Sequence, residues 1–249
     1  MAAAAGDARG CTSDDRGGDD LEAAVRVSLV SAEEAGLEES DGVAFRDLAP
    51  ADLPALRELQ TALFPVRYND SFYERLFSPG YFTLVGIDAA PPSDGSFEGT
   101  AVAGGGALVA VASVRITSDW RVAYIMTLGV DHRYRRRGLG ARALRLCLRA
   151  TCERSRCQLA QLHVKSLNEA AVAFYNSMGF QADEAEGHAG LCRAHYLIEG
   201  EPYDAFALKY DLRPLRRDLG EEEGGPYSHY GSSLYSWAQS TCEGGCAIL

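Results

Sequence analysis

The stretch Arg135-Arg136-Arg137-Gly138-Leu139-Gly140-Ala141 follows an apolar run, Val122 to Val130, and opens a segment where Leu139, Ala143, Leu144, Leu146, Cys147 and Leu148 recur at helical spacing. It reads as strand, basic turn, helix. Two glycines let the backbone curl tightly, and the N–H groups that begin a helix converge on one spot where the helix dipole also favours an anion. Three arginines add charge, so the turn is suited to a pyrophosphate. It is not a P-loop, because no Gly-Lys-Ser or Gly-Lys-Thr follows. Nor is it a dinucleotide fingerprint, because the position of the third glycine is Ala143.

Working outward, alternation over Val43 to Leu48 predicts a strand, and Leu53, Leu56, Leu59, Leu63 and Phe64 fall at helical spacing. A short helix over Asp70 to Phe77 and a strand over Tyr81 to Ile87 follow. The Gly- and Pro-rich segment Asp88 to Gly106 reads as a loop. Beyond it come strands over Ala107 to Ile116 and Val122 to Val130, a helix over Gly138 to Arg154 and a strand over Leu159 to Val164. The pattern closes with a helix over Asn168 to Met178 and strands near Phe180 and over Ala205 to Leu212. Strands that first meet in hairpins and later alternate with helices predict an α/β fold, a mixed sheet with helices on both faces.

The charge is unevenly placed. Of the formal net charge of -11, residues 1–42 carry -8, residues 43–214 are neutral and residues 215–249 carry -3. Seven arginines fall between positions 133 and 149, so an acidic chain has one basic surface. That suits a compact anionic ligand and not a nucleic acid, which asks for a broad basic face. No apolar run reaches the roughly 18 residues a membrane-spanning helix requires. The start lacks a secretory signal, and cytosolic residence is expected. The spacing of Cys147, Cys152 and Cys157 has no paired zinc-ligand pattern, and no metal is expected.

Arg135-x-x-Gly138-x-Gly140 resembles the acetyl-CoA loop of the GNAT acetyltransferases. Four further motifs narrow the likeness: Phe64-Pro65-Val66-Arg67-Tyr68-Asn69-Asp70-Ser71-Phe72-Tyr73, Tyr124-Ile125-Met126-Thr127-Leu128-Gly129, Leu162-His163-Val164, and Asn168-Glu169-Ala170-Ala171-Val172-Ala173-Phe174-Tyr175 with Gly179-Phe180. Together they resemble the catalytic subunits of the NatE and NatF N-terminal acetyltransferases over residues 43–212. The resemblance implies a GNAT fold, acetyl-CoA as co-substrate, and transfer of its acetyl group to the free amino terminus of proteins, Met followed by an apolar residue being favoured. Lysine acetylation, on histones or other proteins, and an inactive acetyl-CoA-binding scaffold are the other two readings the same cofactor site allows.

Alternation places Tyr124, Met126 and Leu128 on one face of their strand and Leu159, Gln161 and His163 on one face of theirs. On residue type alone Tyr124 and His163 are ordinary core side chains; the resemblance makes them the catalytic pair, acting through ordered water. It likewise implies that the backbone of Leu128, Gly129 and Val130 holds the pantetheine arm, Gly129 marking a bulge. Arg135, Arg136, Arg137, Gly138, Leu139, Gly140 and Ala141 would meet the phosphates, and Asn168 and Tyr175 the sulfur end. Phe64, Pro65, Val66, Tyr68, Met126 and Tyr196 would line the peptide pocket. Around Tyr196, Cys192-Arg193-Ala194-His195 departs from the family's Tyr-rich pattern.

Residues 1–42 read as a disordered acidic tail with at most a short element over Leu21 to Val30, 43–214 as the catalytic domain and 215–249 as a flexible tail. The chain closes on Cys246-Ala247-Ile248-Leu249, a C-a-a-X pattern favouring geranylgeranylation, with Cys242 available for a second acyl chain. The expectation is a NatF-like enzyme tethered to the cytosolic face of a Golgi or plasma membrane, working alone or with auxiliary acetyltransferase subunits.

Overall fold

The computed structural model describes residues 42–91, 100–118 and 121–220. The two tails, with the Leu21 to Val30 element, Cys242 and Cys246, lie outside the described residues. Eight strands form one sheet: β1 (Val43–Asp47), β2 (Tyr81–Asp88), β3 (Ala107–Ile116), β4 (Val122–Val130), β5 (Leu159–Lys165), β6 (Gln181–Ala182), β7 (Leu191–Ile198) and β8 (Glu201–Asp211). Their order is β1-β2-β3-β4-β5-β8-β6, with β7 paired to β8. All the described pairs are antiparallel except β4 with β5, which is parallel.

Five helices cover the sheet: α1 (Leu53–Leu63), α2 (Asp70–Arg75), α3 (Leu139–Arg154), α4 (Glu169–Ser177) and α5 (Arg213–Asp218). Each begins or ends where its chemistry dictates. Pro54 sits in the first turn of α1, where a missing N–H costs nothing. Asn69 starts α2 by accepting from the Phe72 N–H at 3.0 Å. The last carbonyls of α3 and the turn after it are taken by the Arg216 guanidinium of α5, which donates to the Cys152 and Cys157 carbonyls at 3.0 Å each and also to that of Ser155. No described helix is long and apolar enough to cross a membrane.

The core divides across the sheet as alternation requires. Ala143, Leu144, Cys147 and Leu148 of α3 pack with Ala160, Leu162 and Val164 of β5 on one side. Leu56 and Leu59 of α1 and Phe72 and Tyr73 of α2 pack with Val85, Leu108 and Val111 on the other. Two expectations fail, both for reasons of register. First, Ser113 pairs with Thr127 but Val114 pairs with Ile125, so Met126 is an extra residue in β4. This bulge switches the alternation. Tyr124 and Met126 join the α1 side, while Leu128 lies on the α3 side and not with them. Secondly, the bulge is therefore not at Gly129. That glycine serves a close approach: a Cβ there would lie 2.7 Å from Leu63 Cδ1 and 3.0 Å from Phe64 Cζ.

The sequence reading also passed over β7, whose Arg193, Ala194 and Leu197 are exposed and whose pairing with β8 is irregular, so no clean period-2 signal survives. β8 begins at Glu201, earlier than the expected Ala205, because its first residues pair with β7.

Two outcomes follow from these contacts. Gly129→Ala should lower stability by about 1 kcal/mol in chemical denaturation, and Leu63→Ala in the same chain should recover part of that loss, since the added methyl first meets the movable Leu63 side chain. Asp52 is buried and bonded to Arg46 at 2.6 and 2.9 Å and to the Ala49 N–H at 2.8 Å. The hydrogen bonds from Arg46 outweigh burial and hold its carboxyl below the usual carboxylate range. Its contribution is therefore present above the unfolded carboxylate pKa and is lost as pH falls through the folded one. Asp52→Asn should cost about 1–2 kcal/mol at pH 7, discounted for the partial exposure of Arg46, with the gap to wild type closing below about pH 4.

Candidate active site

β4 runs beside β3 for its whole length but beside β5 for only three pairs, Val122 with Leu159, Ala123 with Ala160 and Tyr124 with Gln161. Past Tyr124 the two strands part. On its opposite edge β5 pairs β8 with all seven of its residues. The Met126 bulge falls at the fork, where an added twist re-aims the strand. The backbone of β4 from Ile125 to Val130 is left with an edge that has no β5 partner among the described residues, and an extended ligand can be bonded there as an added strand.

At the fork, the Tyr124 hydroxyl and His163 Nδ1 are 3.0 Å apart. Tyr124 is half-buried and borders the α1-side cluster with Met126 and Tyr68, while Arg115 lies over its ring at 5.5 Å. His163 is held on every side: the Tyr196 hydroxyl donates to its carbonyl at 2.9 Å, and the His195 ring stacks on it at 3.9 Å with a 13° interplanar angle. Burial, followed by the neighbouring His195, lowers its pKa to about 3, so the imidazole is neutral throughout the physiological range. Burial lowers the His195 pKa too.

Beside this pair lies an aromatic group built by the turn from α1 to α2. Tyr68 stacks on Phe72 at 4.2 Å and meets Phe64 and Tyr73 edge-on at 6.1 and 6.5 Å. Phe64 is buried against Gly129, Val66 and Tyr68 are partly open, and Pro65 is exposed. Of the expected pocket residues, Tyr68 and Met126 thus share one apolar cluster with Tyr124. Tyr196 is present but buried, its hydroxyl committed to the strand that carries His163.

At the far end of the parted strands the basic turn takes the form its sequence suggests. Arg136 and Gly138 both have left-handed backbone, φ 65° and 82°. Gly138 is the N-cap of α3 with no side-chain cap, so the first N–H groups of the helix stay open to a ligand. Arg136 carries a Cβ in that region at a cost of about 1 kcal/mol, strain of a kind that gathers where a loop is shaped for binding. Arg135, Arg136 and Arg137 are exposed. The seven-arginine surface is smaller than its sequence suggests, because several members serve the fold. Arg133 is paired with Asp131 at 2.7 Å, Arg142 donates to the Val43 carbonyl at 2.9 Å and Arg149 bonds Glu153 at 2.7 Å.

Two expected residues sit apart from the fork. The Asn168 side chain caps α4, accepting from the Ala171 N–H at 3.2 Å. Tyr175 is wholly buried in the α3-side core, edge-on to Phe174 and Phe180 at 5.2 and 5.4 Å. The sequence reading missed His195 and Cys192, which lie with His163. Their signal was there, as the departure at 192–195, but only the fold puts those residues beside His163.

The model of the acetyltransferase (GNAT) family matches residues 53–180. N-alpha-acetyltransferase 50 of Danio rerio is 30% identical over 182 residues, 70% of this chain and 92% of that protein. Histone acetyltransferase MCC1 of Arabidopsis thaliana is 26% identical over 197 residues, 75% of this chain and 76% of that protein. A solved structure of Arabidopsis thaliana Naa50, in complex with the bisubstrate analogue CoA-Ac-MVNAL, is similar with a TM-score of 0.53 at 27% identity, over 68% of this chain and 99% of that one. A forked sheet, a basic turn at its mouth and these likenesses agree: the chain belongs to the GNAT acetyltransferase family.

Proposed function

We propose that this protein transfers the acetyl group of acetyl-CoA to the free α-amino group of proteins, favouring Met followed by an apolar residue. The observation that carries the proposal is the Tyr124–His163 hydrogen bond at the fork, set beside the apolar cluster of Tyr68, Phe72 and Met126. The fit to CoA rests on the left-handed turn at Arg136 and Gly138 and on the open β4 edge. Arg135, Arg136, Arg137 and the N–H groups from Gly138 to Ala141 hold the phosphates, and the backbone of Leu128, Gly129 and Val130 holds the pantetheine arm.

The new bond forms between the substrate nitrogen and the acetyl carbon as the carbon–sulfur bond breaks. Tyr124 and His163 hold the water that receives the ammonium proton, and the departing thiolate takes its proton from solvent. An α-amino group has a pKa of about 7.7–8.0, so at pH 7.5 about a third of it is already neutral. The base therefore needs to orient water and not to store a proton, which a histidine neutral down to about pH 3 can do.

The same arithmetic separates a second reading. The likeness to histone acetyltransferase MCC1 favours lysine as acceptor. A lysine amine, with a pKa of about 10.4, is neutral in only about a thousandth of molecules at pH 7.5 and asks for a base that His163 is too weak to be. The apolar cluster also suits a Met side chain better than a charged one. The bisubstrate analogue bound to Arabidopsis thaliana Naa50, CoA-Ac-MVNAL, begins Met-Val and supports the same acceptor class.

Peptides beginning Met-Leu or Met-Val should be acetylated, and N-terminal blocking should abolish turnover even when an internal lysine remains. Equal rates on free and blocked peptides would overturn the assignment. With the free peptide, kcat/KM should rise through one ionisation near the amine pKa of about 7.7–8.0 and show none between pH 5 and 7. Tyr124→Phe should lower kcat about 100-fold, and unchanged turnover would remove Tyr124 from the mechanism.

A further inference from the structure

Cys192 and His195 stand three residues apart on β7, and in a regular strand that spacing sends side chains to opposite faces. Here the pairing slips. Cys192 opposes Ala205 and Tyr196 opposes Tyr203, so three residues of β7 stand against the single residue Asp204. Ala194, in the middle, has left-handed backbone at φ 49°, and its N–H donates to Asp204 Oδ1 at 2.8 Å. The carboxylate thus pins an irregularity whose effect is to turn both Cys192 and His195 toward His163. Such bulges re-aim side chains and recur beside active sites.

The result is a compact donor set. One ligand atom from each of His163, Cys192 and His195 lies within 4.8 Å of the others. His195 Nε2 is buried without a hydrogen-bond partner among the described residues, an expensive state for a polar atom unless something meets it. Two imidazoles and a thiol are the donors that borderline-soft cations prefer, and three protein ligands leave a fourth position open. Tetrahedral zinc brings nitrogen and sulfur ligands to about 3.3–3.7 Å of one another, so the side chains need to close by about 1 Å and the two imidazoles, now stacked at 3.9 Å, need to rotate out of their stack to aim both lone pairs at one ion.

We propose that His163, Cys192 and His195 form a binding site for a thiophilic divalent cation such as Zn²⁺, and that occupancy silences acetyl transfer. On binding, the metal–sulfur bond replaces the Cys192 S–H bond and that proton leaves to water. A cation on His163 Nδ1 displaces the Tyr124 hydrogen bond, and one on Nε2 fills the remaining nitrogen while Tyr124 occupies the other. Either way the imidazole has no nitrogen left with which to orient the water. The binding site stands on the β7 geometry alone; the silencing rests on the acetyl-transfer reading.

The test titrates Co²⁺ into the full chain and follows the thiolate-to-cobalt charge-transfer band, with Zn²⁺ calorimetry for stoichiometry. Wild type should show the band and bind one cation; Cys192→Ser should lose the band, and His195→Gln should weaken affinity at least tenfold. In parallel, Zn²⁺ should cut acetyl transfer by wild type at least tenfold with recovery on chelation, and Cys192→Ser should lose that sensitivity relative to its own metal-free rate. No band in wild type, or a band that survives in Cys192→Ser and so arises from the six other cysteines, overturns the site. Binding without loss of turnover overturns the silencing and counts against His163 as the base. A chain that binds the cation but acetylates nothing leaves the site standing and rejects the acetyl-transfer reading instead.

Discussion

The structure depends on one unequal pairing: β4 is bonded to β3 throughout and to β5 over three residues only. A continuous parallel ladder there would close the sheet and leave no place for a ligand. The Met126 bulge loosens the strand at the point of parting, and β5 stays anchored in the sheet because β8 pairs its opposite edge along its full length. What the sheet gives up is a row of β4 backbone groups, which is what an extended ligand needs. The fork also fixes the positions of Tyr124 and His163. Tyr124 is the last residue of β4 paired to β5, and His163 lies two residues beyond Gln161, its partner's next same-face position.

Charge and burial are arranged oppositely at the two ends of the fork. At the mouth, three exposed arginines surround a turn that accepts left-handed strain at Arg136. At the base, His163 is buried among Tyr124, His195 and Tyr196 and kept neutral by its surroundings. Positive charge is thus gathered at one end, while the other is buried enough for an imidazole to remain uncharged. Other arginines hold the fold: Arg142 of the cluster ties α3 to β1 through the Val43 carbonyl, and Arg154, outside the cluster at the end of the same helix, bonds Asp47 at 2.6 and 3.0 Å.

The β7–β8 hairpin closes over the base of the fork. Asp204 holds the Ala194 N–H, and Cys192 and His195 lie with His163. The neighbouring Tyr196 braces the same histidine through its carbonyl. The hairpin thus carries ligand-type side chains to the base of the fork.

By itself the sequence determined what depends on near neighbours. The turn at Arg135 to Ala141, the helices at Leu53, Leu139 and Glu169 and the strands from Val43 to Lys165 are all written in periodicity and local backbone preference. So is the placement of Gln161 and His163 on one face of β5, because that strand is regular. The tertiary structure decided the rest. Alternation is valid only while register is kept, so the bulge moved Leu128 away from Tyr124 and Met126. Gly129 reads as a bulge residue until α1 is seen lying against it. The irregular pairing of β7 hides its strand from any period-2 count, and with it the meeting of Cys192 and His195 with His163. Each of these outcomes depends on what a residue faces across the sheet, and that is set by pairing partners far away in the chain.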